Sequence, residues 1–202
     1  MHILVYGGTF DPVHNGHLLP ARAARQAIVA DRLLLIPAYL SPHKLSQSTA
    51  APEHRLRMLE LATAGDPHIA IDNRELLRQG PSYTFDTLGD LQREQPANQF
   101  TLLLGADQLP KLHTWHRIAE ILERTPIALM PRPGQSTEVG LQAVAQTLGT
   151  PTAEKLRHAL LTTPLVDISA TTIRDRIREG LPVADLVPPA VADYIAAHHL
   201  YR

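Results

Sequence analysis

The chain has 202 residues, 44% of them apolar, which suits one α/β domain, alone or with a small appendage, around a sizeable core. A formal net charge of −1 excludes a general polycation for nucleic acid and an acidic tail, so an anionic substrate must be met by local groups. The lack of Cys excludes disulfides, thiolate zinc sites and cysteine nucleophiles, while eleven His raise the question of metal or phosphate contacts.

Residues 2–6 read as a buried strand that runs into Gly7-Gly8, with no charged leader segment before it. Residues 16–29 carry Leu18, Leu19, Ala23, Ala27 and Ile28 at helical spacing, and 33–37 form a second strand. A polar loop over 39–52 precedes a helix from about residue 53, closed by Gly65. A short strand at 69–71, a helix at 84–94 capped by Ser82 or Thr84, and an apolar strand at 99–104 follow. The pattern then gives a helix at 115–123, a strand at 127–130, and a Gly/Pro loop with one or two amphipathic helices over 133–161. A last strand at 165–168, a helix at 171–179 closed by Gly180, and a helix at 188–198 opened by proline complete the chain. No apolar run approaches the roughly 18 residues of a membrane span, and a cytoplasmic location is expected.

Strand–helix–strand alternation implies an α/β fold: a doubly wound, mostly parallel sheet with helices on both faces and a small helical C-terminal part. Such sheets bind ligands beyond the carboxyl ends of their strands. Gly7–His17, Gly105–Asp107 and Ser169–Arg174 fall there.

Gly7-Gly8 let the backbone turn sharply close to a ligand, and the segment Thr9-Phe10-Asp11-Pro12-Val13-His14-Asn15-Gly16-His17 then enters a helix. A helix start offers free N–H groups and a positive dipole end to phosphate. His14 and His17, three apart, share a face and form a plausible pair of phosphate donors. The dinucleotide fingerprint and the Walker loop are both missing, so a nucleotide site here is of another type. Ser169-Ala170-Thr171-Thr172-Ile173-Arg174 offers capping hydroxyls, free N–H groups and a guanidinium one turn in, and also fits a plain helix cap with Arg174 in a solvated ion pair. Tyr83-Thr84 fit a cap and packing as well as a ligand contact. The single Trp, Trp115, fits the core as well as a stacking platform, and Asp107 suits ribose hydroxyls or an adenine-side donor.

The first of these segments resembles the signature of the HxGH nucleotidyltransferases, Rossmann-like proteins whose two His contact the phosphates of ATP. Residues 168–174 resemble that superfamily's ISSTxIR motif, with Ala170 in place of a serine. Ser41-Pro42-His43-Lys44, the 72–88 segment with Gly80-Pro81-Ser82-Tyr83-Thr84, and Gly105-Ala106-Asp107-Gln108-Leu109 with Trp115 resemble segments of the nicotinate mononucleotide adenylyltransferases of bacterial type. The resemblance spans 1–132 and 164–202. It implies one nucleotidyltransferase domain over 1–202, with 164–202 completing the ATP site, that adenylylates nicotinate mononucleotide to deamido-NAD. It further implies His14, His17, Lys44 and Arg174 as catalytic residues. Gly7, Gly8, Thr9, Phe10, Gly105, Asp107, Ser169 and Thr171 join His14, His17 and Arg174 in holding ATP, while His43, Lys44, Tyr83, Thr84 and Trp115 hold the acceptor. Mg²⁺ travels with ATP rather than in a protein cage. ATP and nicotinate mononucleotide are the implied partners, with no nucleic acid or membrane. The competing readings are an adenylyltransferase for nicotinamide mononucleotide or phosphopantetheine, a non-catalytic nucleotide sensor, and a His-rich metal-binding protein.

Overall fold

Successive residues of the first strand, β1 (His2–Gly8), point to opposite faces of the sheet, and both sets are apolar. Ile3 and Val5 enter one buried cluster, Leu4 and Tyr6 another. A strand of this kind needs cover on both sides. The computed structural model, which describes residues 1–42 and 49–202, supplies it.

The remaining elements, in chain order, begin with α1 (Asn15–Ala27), β2 (Arg32–Pro37), α2 (Pro52–Thr63), β3 (Ile69–Ile71), α3 (Arg74–Arg78) and α4 (Thr84–Glu94). They continue with β4 (Gln99–Gly105), a 3-10 helix (Ala106–Thr114), α5 (Ile118–Arg124), β5 (Ile127–Met130), α6 (Thr137–Leu148), α7 (Thr150–His158), α8 (Ala170–Arg178) and α9 (Pro189–Ala197). Among the described residues, five strands form one sheet in the order β3-β2-β1-β4-β5, and every pairing is parallel. Leu88 and Leu91 of α4, Ile121 of α5, Leu141 of α6 and Leu156 of α7 cover one face. Leu18 and Ala21 of α1, Met58 and Leu59 of α2, Ile173 of α8 and Val191 of α9 cover the other. Each full burial of such a side chain contributes about 1.5–3 kcal/mol.

This is the doubly wound Rossmann-like arrangement expected from the alternation. From β1 the chain winds outward through β2 and β3, then crosses back to place β4 on the other side of β1. The crevice at the carboxyl ends of β1 and β4 is therefore the topological switch point.

Three expectations are corrected. Residues 165–168 do not form a strand. The exposed edge of β5 is met earlier, where Leu129 donates its N–H to Ala159 O and accepts from Leu161 N, both at 2.8 Å. With that edge engaged, Leu165 lies 65% exposed. The helix expected at 115–123 begins at Ile118, because Trp115 closes the preceding 3-10 helix and Arg117 adopts a left-handed backbone with φ 54°. Neither Ser82 nor Thr84 caps α4: Tyr83 occupies the cap position and makes no side-chain capping bond.

Candidate active site

At the switch point a cavity of about 560 Å³ opens between β1, β2 and β4. Gly7, Gly8, Thr9, His17, Gly105, Asp107 and Arg132 line one end. His17 stands in the first turn of α1 and stacks on His14, ring centroids 3.6 Å apart and planes 29° apart. Phe10 holds the His17 ring from the side, edge-on at 5.2 Å, and itself meets Tyr6 edge-on at 5.6 Å. Arg132 follows β5 and donates to Gly16 O at 2.8 Å and to the Tyr6 hydroxyl at 2.9 Å, with Asp107 3.5 Å from its Nε. The turn expected at Gly7-Gly8 is displaced: both glycines stay paired with Ile36 and Pro37 in β1, and the left-handed backbone falls at Phe10, φ 50°. Two imidazoles, a helix start and a guanidinium thus gather just past the end of β1, an arrangement suited to an anion.

Gly16, between the two His, is required by close approach. A Cβ there would lie 2.9 Å from Ile168 O and 3.0 Å from His14 Nδ1. Gly16→Ala is expected to cost about 1–3 kcal/mol through overpacking, less the helix-propensity gain of about 1 kcal/mol. The urea midpoint reads it, and an unchanged or raised midpoint would show that this contact relaxes freely.

His14 is 2% exposed, and its Nδ1 has no hydrogen-bond partner among the described residues. Burial first, and the nearby Arg132 charge second, push its pKa down from 6.5 to about 3. Between those values the unfolded chain binds the proton and the folded chain does not. This contribution to stability is complete above the unfolded pKa and is lost as pH falls through the window, by up to about 1.4 kcal/mol per pH unit. Between about pH 7.5 and about pH 5, the ligand-free protein should lose about 2 kcal/mol more unfolding free energy than His14→Asn. Equal losses would contradict a neutral His14.

The loop that carries these groups is fastened from below. Arg55 of α2 is 0% exposed, and burial lowers its pKa, although the charge of Asp11 opposes this. Its guanidinium donates to Thr9 O (2.8 Å), Ala38 O (2.6 Å), Tyr39 O (3.3 Å) and Ala50 O (3.1 Å). Asp11, also buried, accepts from Ala50 N at 3.1 Å and from the Tyr201 hydroxyl at 2.7 Å. Burial and the neighbouring Asp11 charge raise the Tyr201 pKa, which keeps this phenol a donor. Arg174 of α8 donates to Asp11 O at 2.7 Å and to Thr171 Oγ1 at 3.3 Å. Ser169 caps α8, accepting from Thr172 N at 3.0 Å. Ser169 thus caps α8, and Arg174 is tied to the loop after β1 rather than to a solvent ion pair.

The opposite end of the cavity is lined by Glu75, Ser82, Tyr83, Thr84, Thr87, Trp115 and His116. Ser82 accepts from Tyr39 N at 2.9 Å and donates its own N–H to Leu40 O at 2.9 Å, tying this end to the loop after β2. Thr87 donates to Glu75 at 2.6 Å. Burial raises the Glu75 pKa against the lowering effect of the Thr87 and Ser82 hydroxyls. The Tyr83 ring lies 4.7 Å from that of His116.

Of the residues singled out from sequence, the cavity wall brings together Gly7, Gly8, Thr9, His17, Tyr83, Thr84, Gly105, Asp107 and Trp115. Phe10 and His14 stand directly behind His17, and Ser169, Thr171 and Arg174 flank the loop from α8 without forming the wall. His43 and Lys44 lie outside the described residues. Arg55, Glu75, His116, Arg132 and Tyr201 were missed. Only Arg132 carried a usable signal, a cation just past the carboxyl end of an apolar strand.

A cavity at the switch point with His17 and Arg132 in its wall and the His14–His17 pair at a helix start suits a nucleotidyltransferase, and a family model described as cytidylyltransferase-like matches residues 5–176. A chain from Thermomicrobium roseum named probable nicotinate-nucleotide adenylyltransferase is 40% identical over 198 residues, covering 98% of this chain and 90% of the relative. One of the same name from Yersinia pestis is 41% identical over 208 residues, covering 98% and 94%. This chain belongs to the cytidylyltransferase-like family, in the nicotinate-nucleotide adenylyltransferase branch that these relatives represent. In fold it matches the Plasmodium falciparum nicotinic acid mononucleotide adenylyltransferase complexed with NaAD, with a TM-score of 0.76 over 99% of this chain and 97% of that one at 18% identity. The same enzyme complexed with APC matches at 0.75 over 99% and 96%, at 17% identity.

Proposed function

We propose that this protein transfers the adenylyl group of ATP to nicotinate mononucleotide, releasing pyrophosphate and forming deamido-NAD for NAD biosynthesis. The observation that carries the reading is one cavity whose wall holds both His17 and Arg132, groups suited to an anion, and the rings of Tyr83, Trp115 and His116. Such a cavity brings a triphosphate and a pyridine ring within reach of each other. Family membership at about 40% identity over nearly the whole chain supports the same reaction.

The mononucleotide phosphate oxygen attacks the α-phosphorus of ATP, one P–O bond forms, and the bond to pyrophosphate breaks. A phosphomonoester has a second pKa of roughly 6, so the attacking group is already ionised and needs no general base. Catalysis is therefore positioning and charge stabilisation. His17 and His14 serve the α and β phosphates, His17 from the cavity wall and His14 stacked behind it, with Gly7 and Gly8 ending β1 and Thr9 and Phe10 leading on towards α1. Arg174, with Ser169 and Thr171, meets the β and γ phosphates, and Gly105 and Asp107 hold the ATP nucleoside. Tyr83, Thr84 and Trp115 hold the acceptor, and the sequence reading adds His43 and Lys44 where the substrates meet. Mg²⁺ belongs with ATP, where it neutralises developing phosphate charge, held by phosphate oxygens and water. The chain's contribution at that end is imidazole, guanidinium, backbone N–H and a single carboxylate, Asp107, 3.5 Å from Arg132 Nε, a set that suits phosphate oxygens better than a protein cage for the metal. Among the described residues no three His, Cys, Asp or Glu side chains converge as a metal site. The 202 residues act as one domain on this reading, with 164–202 completing the ATP site. An enzyme that draws on ATP in this way belongs in the cytoplasm, and no helix among the described residues is long and apolar enough to cross a membrane.

ATP labelled at its α-phosphate tests the reaction type. The label should appear in a dinucleotide product and unlabelled pyrophosphate should be released. Transfer of a γ-phosphate label to the acceptor would make the protein a kinase and overturn the proposal.

A further inference from the structure

Helix α9 closes with a reversal of the chain. His199 donates its N–H to Ala196 O at 3.3 Å, and Leu200 donates to Ile195 O at 3.1 Å, the paired bonds that end a helix through a left-handed residue. That residue is usually glycine, but here it is His199, with φ 51°, and Tyr201 follows with φ 66°. A Cβ disfavours this region, and such residues persist where their surroundings over-determine them. The reversal brings the Tyr201 hydroxyl to Asp11 Oδ1 at 2.7 Å. Asp11 is 4% exposed, and the same oxygen accepts from Ala50 N at 3.1 Å. Its other oxygen, Oδ2, lies 4.0 Å from Arg174 Nη1, which donates instead to the backbone carbonyl of Asp11 at 2.7 Å. Two neutral donors on one oxygen thus hold the carboxylate just short of a hydrogen bond to the guanidinium.

We infer that Tyr201 is a positioning residue for the triphosphate end: by holding the Asp11 carboxylate off Arg174, its hydroxyl keeps that guanidinium open to phosphate oxygens. This inference rests on the proposed reading that Arg174 meets the β and γ phosphates. Carboxylate and phosphate compete for the same planar fork of donors. A charge-assisted bond is roughly twice as strong as a neutral one, so a carboxylate released from Tyr201 closes on Arg174 and occupies it. Arg55, the other cation near Asp11, does not draw the carboxylate away, because its guanidinium is committed to the carbonyls of Thr9, Ala38, Tyr39 and Ala50. The Tyr201 ring also packs against the buried cluster that includes Ile173 and Val191, so ring and hydroxyl have separable roles.

The test is a double-mutant cycle of Tyr201→Phe and Arg174→Ala, read by steady-state kinetics with both substrates and by equilibrium binding of ATP, with circular dichroism to establish the fold. Tyr201→Phe keeps the packed ring and removes the hydroxyl. Its KM and dissociation constant for ATP should rise about three- to tenfold, the usual scale of one hydrogen bond, while kcat at saturating ATP and KM for nicotinate mononucleotide stay near the wild type. Arg174→Ala should itself weaken ATP binding, and in that background Tyr201→Phe should add nothing, because no guanidinium is left to occupy. A purely structural Tyr201 would give the same loss in both backgrounds, or a loss shared by both substrates. Either result, or unchanged ATP binding in Tyr201→Phe, would overturn the inference and leave the reading of Arg174 standing. Unchanged ATP binding in Arg174→Ala would defeat that reading, and the inference with it.

Discussion

Replacing His17 with alanine is expected to lower turnover by about 10²- to 10³-fold while the protein stays folded, the usual cost of deleting one transition-state donor. The ring lines the cavity and is held by His14 at 3.6 Å, Phe10 at 5.2 Å and Tyr6 at 6.3 Å. Three aromatic neighbours leave it little freedom, so its contribution is pre-organised rather than recruited at each turnover. His17 is also on the helix rather than in the core, and alanine is a better helix former than histidine. The loss should fall on kcat more than on KM for ATP, because a donor aimed at developing charge gains most in the transition state. Steady-state kinetics on folded variant, with circular dichroism to establish the fold, decide it. A variant that keeps most of its kcat would place the phosphate contacts elsewhere.

The largest effect on stability is expected at Arg55. Arg55→Ala removes donors from four backbone carbonyls and takes away one of the cations near the buried Asp11 carboxylate, leaving Arg174 at 4.0 Å from Asp11 Oδ2. Each buried group left unsatisfied costs about 1–3 kcal/mol, so the loss of these donors is expected to cost several kcal/mol in total. The urea midpoint should shift accordingly, with the slope unchanged if the two-state transition is kept. Arg55→Lys should recover only part of the loss, because a point charge with three donors cannot reproduce a planar fork. The same variants are expected to raise KM for both substrates, since Arg55 binds the carbonyls of Thr9 and Ala38, which line the cavity, as well as those of Tyr39 and Ala50. A loss under about 1 kcal/mol in Arg55→Ala would show that water replaces the guanidinium readily.

Most of the sheet was legible because its signals are local. Runs such as Leu33-Leu34-Leu35-Ile36 and Thr101-Leu102-Leu103-Leu104 are apolar on both faces, which only a doubly covered strand tolerates. Leu165-Val166-Asp167-Ile168 carries a similar local signal and is not a strand. Whether such a run pairs depends on whether an edge is free, and residues 159–161 had already met the edge of β5. The misplaced start of α5 has a similar origin: Trp115, Ile118 and Ile121 share helical spacing, and the break at Arg117 lies in a backbone angle that periodicity does not carry.

The site divides along the same line. Gly7-Gly8 and the His14–His17 pair are neighbours in sequence, so their chemistry could be read from spacing. Arg55 could not: in the sequence of α2 it looks like Arg57, yet Arg57 is half-exposed in a surface pair with Glu60 while Arg55 is fully buried. The Tyr201–Asp11 bond joins residues 190 apart, and no local pattern announces it. Glu75 and His116 likewise become significant only because α3 and the end of the 3-10 helix meet across the cavity.

The central claim, adenylyl transfer to nicotinate mononucleotide, is tested most directly by pyrophosphate release from ATP and Mg²⁺ with nicotinate mononucleotide, nicotinamide mononucleotide and phosphopantetheine offered in parallel. Strong turnover is expected with nicotinate mononucleotide, weak turnover with its amide and none with phosphopantetheine. Preference for either other acceptor, or no turnover with any of them from folded protein that still binds ATP, would contradict it.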